Sequence, residues 1–405
     1  MEIWKRNLLV LWIGVFFTSA SFNMVIPFLP IFLIELNVHE NTEIWAGVLF
    51  SAAFFAGAFA SPFWGRLADK YGRKPMIIRA GFVLFVVYTL AAFVTNPYQL
   101  LVLRILQGLL SGFIPGAIAL IGTNTPSDKT GYALSMISTA SASGGIMGPL
   151  IGGVISQLVG NRLSFASAGL LVFIATFLII FWVKEDNFSP SKEKGSVRND
   201  LRIAFSNKPL MLVLLLTIVT SCSIMTIEPI LPLYILEVGG SMDKASLLAG
   251  IIFSLPGIAS VIMAPYWGKW ADKVGFNRVL FIGLLGGGLG TFAQIIFSNI
   301  WGFSITRFIF GLFFCAVFPA LNGLVVKSTA EDFRGRAFSL NQTANQLGGM
   351  FGPMIGGFLG GVLPAQSVFI VTGILLIVAT GIAYKKGNIF SQTMKQKVKI
   401  VTHGK

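Results

Sequence analysis

Long apolar runs, separated by short charged loops, dominate the chain. Each run has roughly 20 residues or more, the length at which an α-helix crosses the hydrocarbon core of a bilayer. Strands of a membrane barrel would be about 10 residues long and would alternate between apolar and polar positions, which these runs do not. Twelve segments are predicted, at 7–36, 44–66, 75–95, 97–122, 132–158, 163–183, 209–237, 245–267, 277–297, 299–326, 337–361 and 365–384.

Polar stretches divide these segments into two sets of six. We expect an all-α integral membrane protein, because only helices satisfy their backbone groups within one segment in lipid. Its predicted parts are an N-terminal six-helix half at 1–183, a cytoplasmic linker at 184–208, a C-terminal six-helix half at 209–384 and a basic cytoplasmic tail at 385–405.

The composition agrees with a membrane protein and argues against a soluble one. Hydrophobic residues make up 55% of the chain and charged residues 11%, whereas soluble domains carry about 25% charged residues. The net charge of +14 sits in short clusters between apolar runs, so we expect no nucleic-acid partner. Two cysteines and two histidines without companions predict no disulfide framework, no metal site and no cofactor.

The distribution of Lys and Arg predicts the orientation in the membrane. With the N-terminus inside, the inner loops and both termini hold nearly all basic residues outside the apolar runs, and the outer loops hold only Arg162 and Lys244. Cytoplasmic loops carry the excess of Lys and Arg. The sequence therefore predicts a multi-pass protein of a bacterial cell membrane with both termini in the cytoplasm.

Four unlike motifs recur at offsets of 202 to 204 residues. Such parallel repeats are typical of transporters whose substrate site lies near mid-membrane between two related halves. The pairs are 27–30 with 229–232, 65–74 with 268–278, 103–108 with 306–311, and 144–153 with 348–357.

These motifs resemble those of the major facilitator superfamily, and specifically of its twelve-helix drug:proton antiporters. The charged stretch at 65–74 resembles the loop 2–3 motif, and Arg104 with Gly108 resembles the helix-4 motif. Gly148 and Pro149 resemble the helix-5 motif associated with exporters. Within that family, the stretches at 3–8, 27–30 and 61–65 are similar to the MdtG-like multidrug efflux group.

The resemblance implies a cytoplasmic gate at 65–74. Asp69 would lock the gate in the outward-open state, in a motif that also contains Gly65, Gly72 and Arg73. We expect Gly65 to allow close helix packing and Gly72 to allow a tight turn. The second copy keeps Asp272 but has Phe276, Asn277 and Arg278 in place of the tight basic end, so its latch should be weaker. The alternative is that these charges only fix topology.

Two ionisable residues are candidates for proton coupling. The resemblance implies this role for Arg104, whereas the alternative is an arginine that snorkels to the inner interface. Glu228 is the acid that lies clearly within an apolar run, and an enclosed carboxyl suits reversible protonation. The alternative for Glu228 is exposure to water at the outer mouth. For Arg307 we expect a structural role.

Glycines spaced by four line one face of the fifth segment. Such a stripe lets another helix backbone come close, and Pro149 can bend the helix beside it. The resemblance implies the sliding surface of an exporter, and the alternative is ordinary tight packing. The antiporter-motif residues are Gly144, Gly148, Pro149 and Gly152, with Gly348, Gly352, Pro353 and Gly356 in the second copy.

Polar and aromatic residues within the apolar segments are candidates for a substrate cavity. Lipid-facing positions would not carry amides, and binding cavities combine an apolar wall with a few polar groups. The candidates are Asn23, Tyr234, Asn322, Gln342, Asn345 and Gln346.

Together these features predict proton-coupled efflux of lipophilic or amphipathic drugs by rocker-switch alternating access, performed by a monomer. The sequence lacks the phosphate-binding loop of an ATPase, so an ion gradient should supply the energy. It also lacks a nucleophile with a paired base, so no enzyme is expected. An uptake symporter of the same fold and, less favoured, a non-transporting membrane sensor are the alternatives. The identity of the drug stays open.

Overall fold

The computed structural model describes the backbone at 2–126, 129–185, 197–239, 241, 244–330 and 333–403. Within these ranges, the side chains of Asp69, 197–200 and 386–403 lie outside the described part.

The described residues fold into sixteen α-helices and no strand. They are α1 Ile3–Met24, α2 Leu29–Glu35, α3 Thr42–Tyr71, α4 Arg73–Ala91, α5 Pro97–Leu110, α6 Phe113–Asn124, α7 Thr130–Trp182, α8 Val197–Ser206, α9 Lys208–Ile227, α10 Leu231–Glu237, α11 Ala245–Val274, α12 Phe276–Ala293, α13 Ile300–Phe314, α14 Val317–Ser328, α15 Arg334–Val362 and α16 Gln366–His403.

These helices account for the twelve predicted segments. In the described part, ten spans are long and apolar enough to cross a membrane. One of them, α7, contains two predicted segments joined at Gly160, where the backbone leaves the helical region with φ +83°. The remaining predicted segment, 337–361, corresponds to α15. This helix has 29 residues, but it is less apolar than the ten spans because its first half carries arginines and amides.

Two of the segments predicted as continuous helices are broken at the repeated proline motif. The stretch 27–30 separates α1 from α2, and its copy at 229–232 separates α9 from α10. Proline inside a helix removes a backbone hydrogen bond and clashes with the preceding turn. Pro30 and Pro232 each stand in the first turn of the short helix that follows, where no intrahelical N–H bond is lost.

A further break, which the apolar pattern did not reveal, separates α5 from α6. Gly112 has φ +126°, and two side chains satisfy the carbonyl groups that the break leaves free. Trp64 Nε1 donates to the carbonyl of Leu109 at 2.6 Å, and Arg79 Nη2 donates to the carbonyls of Leu110 and Ser111 at 3.2 and 3.0 Å. Backbone outside a helix is tolerated at membrane depth where protein groups satisfy it.

The helix starts repeat as well. Asn96 precedes α5 and accepts a hydrogen bond from the Gln99 N–H at 3.0 Å, while Asn299 precedes α13 and accepts one from the Gly302 N–H at 2.7 Å. Asparagine is among the preferred N-cap residues because its side chain satisfies a free N–H of the first turn. The two halves therefore share local signals that the four motifs did not include.

The chain divides into two compact units. Unit 1 comprises Met1–Lys194 and Glu228–Ser254, and unit 2 comprises Gly195–Ile227 and Leu255–Lys405. The core of unit 1 includes Leu11, Phe113 and Phe165, and the core of unit 2 includes Leu216 and Leu376. We call the helix ends that carry the predicted cytoplasmic loops the inner ends, and the opposite ends the outer ends.

Candidate functional site

The charged stretch at 65–74 lies at the inner end of unit 1, where α3 ends and α4 begins. Gly72 between them has φ +98°, a backbone conformation that other residues resist. Arg73 Nη1 donates to Thr123 Oγ1 of α6 at 2.6 Å. An added Cβ at Gly65 would meet no described atom within 4 Å, so close packing does not explain that glycine here. Asp69 lies in the last turns of α3, and its side chain is outside the described residues.

Glu185 holds the start of α4. Its two carboxylate oxygens accept hydrogen bonds from the backbone N–H groups of Arg73 and Lys74, each at 2.8 Å. A carboxylate is favoured there because the first N–H groups of a helix lack partners and carry partial positive charge. The sequence pattern did not single out Glu185, although this acid directly follows the sixth predicted segment.

Asn7 fixes the same junction to α1. It is fully buried, its Nδ2 donates to the carbonyl of Lys184 at 2.6 Å, and its Oδ1 accepts from the Lys184 N–H at 3.0 Å. The residues that leave α7 are therefore bound to α1 and, through Glu185, to α4. This arrangement anchors the first charged stretch at the point where the linker begins.

The second charged stretch has a similar turn with different surroundings. Gly275 separates α11 from α12 with φ +92°, close to the value at Gly72. Asp272 is exposed in the last turn of α11. An added Cβ at Gly275 would meet no described atom within 4 Å. The second turn is thus less crowded than the first.

Arg104 is buried in unit 1 within a short polar chain. Its side chain is 5% exposed, its Nη1 donates to Gln107 Oε1 at 2.9 Å, and Gln107 Nε2 donates to the Tyr88 hydroxyl at 2.9 Å. Arg104 Nε and Nη2 are buried without a hydrogen-bond partner among the described residues. The guanidinium faces protein, and this burial argues against the snorkelling alternative.

Arg307 occupies the related position in unit 2. It is also 5% exposed and its Nη1 donates to Gln294 Oε1 at 3.3 Å. The amide partner follows α12, whereas the partner of Arg104 comes from its own helix. The two copies of the motif therefore have different polar environments.

The glycine stripe of α7 packs against α1. An added Cβ would lie 2.6 Å from the Phe16 carbonyl oxygen at Gly144, and 2.6 Å from the Ala20 carbonyl oxygen at Gly148. At Gly152 it would overlap the carbonyl oxygen of Met24. The glycines thus let the two backbones touch along three turns, as the spacing of four predicts.

The start of α11 covers a second side of the same helix. An added Cβ at Gly153 would lie 2.7 Å from the Ser246 carbonyl oxygen and 3.1 Å from Gly250 Cα. Ser254 Oγ donates to the carbonyl of Ile146 at 2.8 Å. Within unit 1, the antiporter motif is therefore enclosed by α1 on one side and by α11 on the other.

The second glycine stripe repeats this packing in unit 2. Gly348, Gly352 and Gly356 of α15 face α9, where added Cβ atoms would collide with Ser221, Cys222 and Thr226 respectively. Pro353 is buried in the same helix. Both glycine stripes thus allow close backbone packing, of α7 against α1 in unit 1 and of α15 against α9 in unit 2.

The candidate cavity residues fall into separate groups. In unit 2, Thr217 Oγ1 donates to Asn341 Oδ1 at 2.8 Å and Asn341 Nδ2 donates to Asn322 Oδ1 at 3.1 Å. Ser221 Oγ donates to Asn345 Oδ1 at 2.6 Å. These bonds join α9, α14 and α15 through amides.

The other candidates are more varied. Gln342 is exposed and Gln346 is half-buried on α15. In unit 1, Asn23 Nδ2 donates to the Ser19 carbonyl at 2.8 Å, and Tyr234 is 2% exposed. Tyr234 is therefore buried in this conformation. Glu228 is half-buried and is the first residue of the break after α9.

Sequence reasoning also missed a polar cluster at the outer end of unit 1. Asn161, 6% exposed, donates through Nδ2 to Glu35 Oε1 at 2.6 Å. Its Oδ1 accepts from the Ser156 hydroxyl and, at 3.4 Å, from the Ser246 hydroxyl. The cluster ties α2, both parts of α7 and the start of α11 together beside Gly153.

Comparison with solved structures shows the fold. A bacterial homologue of the human lysosomal transporter Spinster, in an inward-facing and unoccupied conformation, matches with a TM-score of 0.80 and 13% identity, over 97% of this chain and 98% of that one. A mutant of the nucleoside transporter NupG matches with a TM-score of 0.77 and 15% identity, over 95% of this chain and 99% of that one.

Comparison of sequences shows the family. The chain is 38% identical to the multidrug resistance protein MdtG of Proteus mirabilis over 84% of this chain and 85% of that one. It is 37% identical to MdtG of Salmonella arizonae over the same shares. A model of the Major Facilitator Superfamily matches residues 11–259 and 244–387. The chain is therefore a multi-pass membrane protein that belongs to the major facilitator superfamily of transporters.

Proposed function

We propose that the protein exports lipophilic or amphipathic drugs from the cell in exchange for protons, by rocker-switch alternating access. The observation that carries the proposal is the 38% identity to a multidrug resistance protein over 84% of the chain. Identity over so much of the chain supports a shared function beyond the general fold.

The glycine stripe supports the direction of transport. It resembles the exporter motif, and in unit 1 it brings α7 against both α1 and α11 through Gly152 and Gly153. A sealed outer end is what an exporter needs while it takes up substrate from the cytoplasm or the inner leaflet. The positive loops support an orientation with both termini in the cytoplasm.

The burial of Arg104 supports the coupling to protons. A buried guanidinium in a membrane segment is costly, which makes Arg104 a candidate functional residue, and its place in the motif that resembles the helix-4 motif adds to this. Glu228, at the break after α9, is the proposed carboxyl partner in proton transfer, and the amides of α15 with Asn322 are the proposed polar lining of the drug cavity. The protein works as a monomer in this proposal.

The gate proposal for Asp69 leads to a direct prediction. Asp69→Asn removes the negative charge and keeps the size, so drug efflux should fall several-fold while membrane insertion is unchanged. Efflux and the amount of protein in the membrane are measured together in cells. Asp272→Asn, in the exposed second copy, is the matched control and should have a smaller effect. Normal efflux by the Asp69→Asn variant would exclude the latch.

Efflux by everted vesicles tests the proposed function as a whole. Vesicles with the protein should accumulate fluorescent lipophilic dyes when a proton gradient is imposed, and an uncoupler should abolish the accumulation. Vesicles from cells without the protein are the control. Accumulation that survives the uncoupler would overturn proton coupling, and the absence of any transport across a broad drug panel would overturn drug export.

A further inference from the structure

A cavity of about 320 Å³ opens at the inner end of unit 2, beside the turn between α11 and α12. Three basic residues, Lys273, Arg278 and Lys327, line it together with the Gly275 turn. None of the described residues that line the cavity is acidic. Lys327 Nζ lies 4.7 Å from the centre of the Phe276 ring, which places its charge next to the first residue of α12.

The internal repeat provides a comparison for this turn. In unit 1 the equivalent turn holds the carboxylate of Glu185, whose Oε2 would lie 3.0 Å from a Cβ added at Gly72. That carboxylate accepts the first two N–H groups of α4. In unit 2 the turn has nearly the same φ, but no described atom lies within 4 Å of a Cβ added at Gly275. Where unit 1 has a carboxylate, the described part of unit 2 has a cavity lined by three basic residues.

The chemistry of the cavity selects an anion. The N-terminus of α12, an 18-residue helix, offers N–H groups and partial positive charge, which bind phosphate and carboxylate groups in many proteins. Lys and Arg add full charges, and phosphate accepts several hydrogen bonds from them at once. Basic pockets between membrane helices on the cytoplasmic side bind the headgroups of anionic lipids.

We propose that this cavity binds a phosphate group, supplied either by the headgroup of an anionic lipid of the inner leaflet or by a soluble phosphate of the cytoplasm. The bound phosphate takes the place that Glu185 occupies in the other repeat. It neutralises Lys273, Arg278 and Lys327 and caps α12. The proposal does not depend on which drugs are exported.

The experiment uses the full-length wild-type protein, two cavity variants and one control variant. In Lys273→Gln/Lys327→Gln, two of the cavity charges are removed. Arg278→Gln removes the third charge by a single substitution that keeps a polar side chain, and it therefore guards against failure of the double variant to fold. Lys269→Gln is the matched control, because Lys269 is exposed on α11 and does not line the cavity.

Two arms distinguish the sources of phosphate. In the lipid arm, native mass spectrometry counts phosphatidylglycerol molecules retained by protein from phosphatidylcholine nanodiscs that contain phosphatidylglycerol. In the soluble arm, the melting temperature is followed during titration with inorganic phosphate in a neutral detergent, at constant ionic strength. Each cavity charge removed should weaken binding about fivefold, the effect of one basic residue near an anionic surface.

The proposal is supported if binding in either arm is weakened in both cavity variants and unchanged in Lys269→Gln. The arm in which this occurs identifies the source of the phosphate. Binding that is equal in all four proteins would overturn the proposal, and so would the absence of binding in both arms.

Discussion

Replacing Arg104 with Met is expected to abolish proton-coupled drug efflux and to leave the protein at least as stable as the wild type. Most substitutions in a packed interior lower both stability and activity. If Arg104 destabilises the fold but is needed for transport, its removal should abolish efflux without lowering stability. Efflux in everted vesicles and the melting temperature of the purified variant measure them independently.

The stability half of this prediction follows from the contacts of the guanidinium. Arg104 makes one hydrogen bond through Nη1, to Gln107, while Nε and Nη2 are buried without a described partner. Burying a charge costs several kcal/mol unless it is well paired. The variant leaves Gln107 Oε1 without its donor, which costs about 1–3 kcal/mol. The loss of the buried charge offsets this cost, so stability is kept.

A loss of efflux in Arg104→Met could also follow from general disruption of the structure, so a control variant is needed. Arg307→Met removes an arginine that is equally buried at the related position of the other repeat, and it should retain substantial efflux. Dye binding to the Arg104→Met protein should be close to that of the wild type, because the residue is expected to act on proton coupling. A variant that melts several degrees lower and loses dye binding as well would show that Arg104 is structural.

The sequence predicted the helices well because span length and apolarity are local properties. It also predicted the Gly72 turn, whose φ of +98° is a conformation that glycine adopts readily. The internal repeat also relates two helix breaks to one motif. The proline motif appears twice, and it separates α1 from α2 and α9 from α10. The break at Gly112 could not be predicted, because an isolated glycine in an apolar run is usual in membrane helices.

The contacts of the candidate site depend on residues far apart in the chain. Glu185 binds the backbone of Arg73 and Lys74, more than a hundred residues away, and Asn161 binds Glu35 across a similar distance. No periodicity or local propensity encodes these pairs. The burial of Arg104 could be expected from its place within an apolar segment, but its partner Gln107 and the Tyr88 hydroxyl emerge only from packing.

Replacing Gly152 with Ala is expected to cause the largest loss of stability among single methyl additions along the α7 stripe. The added Cβ would overlap the carbonyl oxygen of Met24, which belongs to backbone and cannot rotate away. Overpacking costs typically about 1–3 kcal/mol and occasionally more, and a clash with backbone belongs to the upper part of that range. The melting temperature should fall by about 5 °C or more, and efflux should fall with it.

Gly145→Ala provides the matched control on the same helix. An atom added there would have Asn23 Nδ2 at 3.9 Å as its nearest neighbour, which is ordinary contact. The same methyl group on the same helix should therefore be tolerated, and alanine has the better helix propensity. Gly356→Ala, whose Cβ would overlap the Thr226 carbonyl oxygen, should reproduce the loss in unit 2. Equal melting temperatures for Gly145→Ala and Gly152→Ala would show that α1 and α7 are not held together by backbone contact along the stripe.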